Sequence, residues 1–351
     1  MKMTVTLSSL AQQQSLRTPP AQTQWPVRRR LRQWGLVGVA LALFSGVWAQ
    51  PGFAAERAPH SKPFSRIFVF GDSLSDTGNF YQLSGGIPPA PYFQGRFSNG
   101  RVWVEQLADA LDMTIACGDN YAVGGATTGF SNYNDGVNGR DYPGLLDQVA
   151  AFAGTRTAAE TRGALFVVWA GANDFFVALE SGQAPAELIG NGVGNTVQAI
   201  QQLWQSGARY IVVANVPDLG LTPFALGLNM GPPITQLCAA YNQTLDSALN
   251  GLAAAGIPTI RVDAFATLGK MVTHPARFGF TNVTAPLMYV GGNATEFLFW
   301  DTVHPTTQGH AVFAEAAADA LIHYFSPRHG QGRPAARINC LNGLVNAWDH
   351  N

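Results

Sequence analysis

Four short apolar runs, each closed by a turn and followed by a helical pattern, constrain the fold of this 351-residue chain more than any other feature. They are Ile67-Phe68-Val69-Phe70 before Gly71-Asp72, Leu165-Phe166-Val167-Val168-Trp169 before Gly171, Tyr210-Ile211-Val212-Val213-Ala214 before Asn215-Val216-Pro217, and Thr259-Ile260-Arg261-Val262 before Asp263. Unbroken runs of β-branched and aromatic residues suit strands of a parallel sheet covered on both faces. Between them, Val193, Val197, Ile200 and Leu203-Trp204 keep helical spacing, with Gly207 placed to end the helix. A second helix is predicted from about Thr235 to Ala255 and an Ala-rich one from about Gly309 to Phe325. Alternating βα units predict an α/β fold, a three-layer αβα sandwich around a mainly parallel sheet, with ligands beyond the carboxyl ends of the strands.

The ends of the chain read differently. Residues 1–55 contain no Asp or Glu but carry Lys2, Arg17, Arg28, Arg29, Arg30 and Arg32. An uncharged, mostly apolar run follows from Trp34 to Ala49, shorter than a bilayer span requires. A basic region, a short apolar region and small residues at Val47-Trp48-Ala49 or Gly52-Phe53-Ala54 read as an export signal cleaved near residues 49–55. A periplasmic or extracellular location is therefore expected; a membrane anchor or a buried helix is the competing reading. The catalytic domain is expected over 56–326, with a polar tail over 327–351.

The whole chain has 21 basic and 22 acidic residues; without the six leader cations the balance is 15 against 22, a net of −7. That charge opposes nucleic-acid binding. With 47% hydrophobic and 12% charged residues, a large core is available. The chain is expected to be a monomer. Cys117, Cys238 and Cys340 allow one disulfide at most, in a pairing that their spacing does not assign.

Four segments carry chemistry. Ser73, in Gly71-Asp72-Ser73-Leu74-Ser75-Asp76-Thr77-Gly78-Asn79, is expected at a strand-to-helix turn, where helix-start N–H groups favour developing negative charge. Read alone, Ser73 or Asp72 is equally an N-cap, and Asp76 and Asn79 are caps or braces. Asp301-Thr302-Val303-His304-Pro305 offers a base and a carboxylate three residues apart, with Pro305 restricting the backbone of His304. The alternatives there are a surface pair, or metal ligation by Asp301, His304 and His310. Asn120-Tyr121-Ala122-Val123-Gly124-Gly125-Ala126 and Gly171-Ala172-Asn173-Asp174 offer a backbone N–H and a side-chain amide for an oxyanion. Singly, these are an ordinary turn and an N-cap.

Taken together and in order, the four blocks resemble those of the SGNH or GDSL hydrolases, in the variant common in plants and also found in bacteria. Gly95-Arg96-Phe97-Ser98-Asn99-Gly100, Asn215-Val216-Pro217-Asp218-Leu219-Gly220 and Tyr241-Asn242 extend the similarity. The resemblance implies an SGNH, flavodoxin-like fold and an esterase or lipase, with lysophospholipase activity within its range. It makes Ser73 the nucleophile and a backbone donor, His304 the base, Asp301 its orienting carboxylate, and Gly125 and Asn173 the remaining oxyanion donors. The doubled glycine leaves Gly124 as the alternative to Gly125. No cofactor or metal is implied. The partners are small-molecule or lipid esters, with transient contact at a membrane surface. An acyltransferase on the same scaffold and a non-catalytic secreted binding protein are the rival readings.

Gly190-Asn191-Gly192-Val193-Gly194 is read as a loop before a helix. Phe175-Phe176 is read as core. Segments 80–100, 127–145, 175–190 and 270–300 are read as the loops that select substrate. Phe130, Phe175, Phe176, Phe278 and Phe280 favour a hydrophobic acyl group.

Overall fold

The computed structural model describes residues 64–326; the leader and tail readings, and Cys340, lie outside them. Strands β1 (Ile67–Gly71), β2 (Leu165–Trp169), β3 (Tyr210–Ala214) and β4 (Ile260–Val262) form a parallel sheet in the order 1-2-3-4. Residues 119–123 add an edge on the other side of β1. Tyr121 N–H donates to Val69 O at 2.7 Å and Val123 N–H to Gly71 O at 3.0 Å.

The helices of six or more residues are α1 (Asn79–Ser84), α2 (Trp103–Ala110), α3 (Leu145–Phe152), α4 (Ala172–Ser181), α5 (Pro185–Gln205), α6 (Gly231–Ala254), α7 (Ala264–Thr273) and α8 (Thr307–Phe325). Among the described residues, no helix is long and apolar enough to cross a membrane.

Strand alternation sorts side chains into two cores. Val69, Val167, Trp169, Val212 and Val262 face α2, α7 and α8, whereas Phe68, Phe70, Phe166, Val168 and Val213 face α3, α4, α5 and α6. Both faces are apolar because both are covered, which is why the strands read as unbroken runs. The fold is the expected three-layer αβα sandwich.

Several local expectations are corrected. Gly190 to Gly194 lie inside α5 rather than in a loop before it, because Gly192 brings the helix against the Tyr241 ring, where a Cβ would stand 2.6 Å from a ring carbon. Segment 175–190 is largely α4 and α5, so its substrate contacts come from helix faces. Phe175 and Phe280 are core residues, Phe278 packs against the core and Phe130 is exposed; among the five only Phe176 lines the pocket that holds Ser73, and Phe175 and Phe176 both line a larger cavity next to it. Cys117 is exposed and Cys238 buried, both as free thiols.

Candidate active site

The carboxyl end of β1 is fixed before Ser73 begins. Gly71 has φ +149°, and a Cβ there would fall 2.1 Å from Trp169 O, so only glycine lets the strand approach β2. Gln148 clamps this residue: its side-chain oxygen accepts from Gly71 N–H and its amide donates to Gly71 O, both at 2.8 Å.

Ser73 then sits in a single tight turn, with the Ser75 and Asp76 N–H groups donating to Asp72 O at 3.0 Å. This corrects the expected strand-to-helix turn, since α1 starts only at Asn79. The interruption has a physical cause: the Asp76 carboxylate accepts from the N–H groups of Gly78, Asn79 and Phe80, starting a new helix there. Ser73 thus gains nothing from the macrodipole of a helix following directly. Asp76 also accepts from Gly124 N–H at 2.8 Å. Burial pushes its carboxyl up to about 6, against the pull of these amide donors. Asn79 braces the neighbouring segment, donating to Asn120 O and Ala122 O.

The contact to Asp76 separates the two glycines. Gly124 N–H is engaged by Asp76, whereas Gly125 stands in the pocket wall with Ser73 and Asn173. Gly125 has φ +83°, and a Cβ would fall 2.1 Å from Asn134 Nδ2 and 2.3 Å from Asn132 Oδ1. Asn173 occupies the first turn of α4 behind Gly171 and makes no N-cap bond. Its amide donates to Ala126 O at 3.0 Å, which leaves its second hydrogen for the pocket. Next to it, Asp174 accepts from Thr128 N–H at 2.9 Å and Thr128 Oγ1–H at 2.6 Å, tying this loop to α4.

The fourth block closes the site. Asp301 Oδ1 accepts from the N–H groups of Val303 at 2.9 Å and His304 at 2.7 Å, folding the segment so that its own imidazole turns back. His304 Nδ1 lies 2.7 Å from Asp301 Oδ2, and Nε2 lies 2.8 Å from Ser73 Oγ. Burial pushes the Asp301 carboxyl up, but the His304 charge and hydrogen bonds from His304 and Val303 hold it below the ordinary value. An ionised Asp301 places the hydrogen on Nδ1 and leaves Nε2 as the acceptor of the Ser73 hydroxyl proton. Both ring nitrogens are thereby occupied. His310 is fully buried in α8, and among the described residues no group of three metal-type side chains forms, so the Asp301–His304–His310 metal alternative has no geometry behind it.

The segment from Gly95 to Gly100 docks this block. Phe97 packs against the His304 ring at 5.1 Å, Ser98 Oγ–H donates to Pro305 O at 2.9 Å, and Asn99 Oδ1 accepts from Thr307 N–H at 2.8 Å. Asn242 similarly pins Val216 through both its N–H and C=O. Tyr92, which sequence reasoning passed over, donates its hydroxyl to Asp301 Oδ2 at 2.8 Å across 209 positions. Gln148 was legible in principle, as a polar residue on the apolar face of Leu145, Val149 and Phe152.

Ser73, Gly125, Asn173 and His304 share a pocket of about 180 Å³ with Phe97, Phe176 and Leu219. A hydroxyl, an imidazole acceptor and amide donors converging on so small a volume can carry out acyl transfer.

Comparison with known proteins agrees with this chemistry. The profile of the GDSL-like Lipase/Acylhydrolase family matches residues 67–317, and the chain belongs to that family, which makes it a carboxylic ester hydrolase of the GDSL esterase/lipase type. Among its relatives, a phosphatidylcholine-sterol acyltransferase of Aeromonas hydrophila is 29% identical over 75% of this chain and 92% of its own length. A GDSL esterase/lipase of Arabidopsis thaliana is 25% identical over 83% of this chain and 94% of its own.

Proposed function

We propose that this protein is an exported esterase or lipase that acts through an acyl-enzyme on Ser73. His304 Nε2 takes the hydroxyl proton as Ser73 Oγ attacks the ester carbonyl. The oxyanion is held by the N–H groups of Ser73 and Gly125 and by the Asn173 amide. His304 then protonates the leaving alcohol, and water releases the acid by the same route. Asp301 fixes the tautomer throughout and stabilises the imidazolium. The observation that carries this reading is the hydrogen-bonded chain from Ser73 Oγ through His304 to Asp301 at 2.8 and 2.7 Å, opening on the pocket that Asn173 and Gly125 line. Export is proposed on the basic, acid-free leader.

Hydrolysis of p-nitrophenyl esters from acetate to palmitate, by the mature protein and its Ser73→Ala variant, tests the reading. Turnover by the parent and none by the folded variant is expected. Equal turnover by both would remove Ser73 from the role. Acyl transfer to an alcohol shares every step but the last and is favoured by the Aeromonas relative's name. Product analysis with added alcohol separates the two, since a transferase yields new ester in place of free acid.

A further inference from the structure

A second cavity, of about 610 Å³, lies beside the small one that holds Ser73. This volume falls in the range of roughly 300–1,000 Å³ usual for ligand pockets, which the 180 Å³ pocket does not reach. Its walls come from α4, α5 and α6 and from Leu219, Phe224 and Met230 in the connection between β3 and α6. No residue lining it is charged, and only Gln183 and Gln236 have polar side chains. Such a lining recognises neither headgroup nor sugar; it suits hydrocarbon.

The two cavities share Phe176 and Leu219 as walls. Phe176 is half-buried and stands edge-on to Phe224 at 5.5 Å, so an aromatic ring forms part of the wall that both spaces share. Helix α4 runs along both. Asn173 and Phe176 face the Ser73 pocket, while Phe176 and Leu179, one turn on, face the larger cavity. From Asn173 to Leu179 the helix rises about 9 Å. Leu179 keeps 45% of its surface exposed at the cavity's lip, and Leu226 and Leu228, which follow the cavity residue Phe224 in the chain, are exposed too.

We propose that the larger cavity is the acyl-chain site: the hydrocarbon tail of a medium- or long-chain ester passes Phe176 and lies along α4 between α5 and α6, while its carbonyl sits at Ser73. This assignment rests on the esterase reading above and adds the substrate class, esters of medium- or long-chain fatty acids. A short acyl group stops in the small pocket and gains nothing from the groove. Each further methylene that enters it raises kcat/KM by roughly fourfold until the groove is filled.

The test reads a ratio, so that a general loss of activity cancels. The kcat/KM for p-nitrophenyl dodecanoate is divided by that for the butyrate, in the parent, in Ala240→Trp, which fills the groove from an exposed position on α6, and in Leu179→Asp, which charges its lip. Both substitutions are expected to lower the ratio by tenfold or more. An unchanged ratio in both variants would overturn the proposal. Displacement of a fluorescent dodecanoyl fatty acid by unlabelled dodecanoate, measured on Ser73→Ala with and without Ala240→Trp, reports occupancy without turnover. Weaker binding in the double variant supports the groove even if no ester is turned over, in which case the esterase reading alone fails. Equal binding in both proteins removes the groove as the site.

Discussion

Replacing Asp301 with Asn probes the site at the point where its geometry is most determinate. The carboxylate receives four hydrogen bonds: Val303 and His304 N–H on Oδ1, and His304 Nδ1–H and Tyr92 O–H on Oδ2. An asparagine offers one oxygen and one NH₂ in the same space. Turning the NH₂ toward Oδ1's partners sets it against two backbone donors, leaving buried polar groups unpaired at about 1–3 kcal/mol each. The opposite orientation keeps both backbone bonds, and the Tyr92 hydroxyl can rotate to accept. His304 must then present a bare Nδ1 to the amide, which moves its hydrogen to Nε2, facing Ser73 Oγ. The hydroxyl proton loses its acceptor while the fold keeps its bonds. A loss of about 10⁴ in kcat is expected, the cost of the wrong tautomer in a triad, equivalent to about 5.4 kcal/mol of barrier. Steady-state hydrolysis of p-nitrophenyl butyrate near neutral pH, alongside thermal melts, checks it. A folded variant that retains more than a tenth of the parent kcat would refute the claim that Asp301 sets the tautomer.

Other predictions follow from the same geometry. Asn173→Ala removes one oxyanion donor and is expected to lower kcat by about 10²–10³ with the fold intact; an unchanged kcat in the folded variant would take Asn173 out of that role. His310 is buried with neither ring nitrogen hydrogen-bonded, and burial, with a smaller contribution from His304, pushes it down to about 3. The unfolded chain then binds this proton first as pH falls from 6.5 toward 3, so the parent loses roughly 2–3 kcal/mol at pH 4.5 from this group. Urea unfolding of His310→Leu at pH 7.5 and 4.5 should show that loss reduced, and an identical pH dependence would contradict it. Asp72 has the opposite sign. Burial pushes its carboxyl up to about 7, and its Oδ2 has no partner. The parent's stability from this group is full below pH 3.8 and declines up to about 7. Asp72→Asn is accordingly expected to raise the urea midpoint at pH 8.5, by more than about 1 kcal/mol in stability, and not at pH 3.5; an equal effect at both would contradict the assignment.

What could be read from the sequence follows the range of the interactions. Unbroken apolar runs mark β1 to β4 because covering both faces is a requirement each strand meets alone. The blocks at Ser73, Asn173 and Asp301–His304 could be picked out as candidates because each is local, a few neighbouring residues in one turn or strand end. Where partners lie far apart, the reading failed or stayed open. Gly124 and Gly125 are alike as neighbours; Asp76, 48 positions earlier, distinguishes them by engaging the Gly124 N–H, and that is the ground on which Gly125 is proposed as the donor. Nothing near Tyr92 in the chain points to Asp301. The helix expected directly after Ser73 was displaced because the Asp76 side chain competes for the N–H groups of residues 78 to 80 and starts α1 there. Gly190 to Gly194 looked like a loop because glycine disfavours helix, but Tyr241 needs the space at Gly192.

The central claim, that Ser73 is the nucleophile and His304 activates it, is tested most directly by covalent labelling. The folded protein is treated with a fluorophosphonate, digested and examined by mass spectrometry. A single adduct on the peptide bearing Ser73 is predicted, absent from Ser73→Ala and formed far more slowly in His304→Ala. An adduct on another residue, or labelling of Ser73→Ala at the parent's rate, would contradict the account.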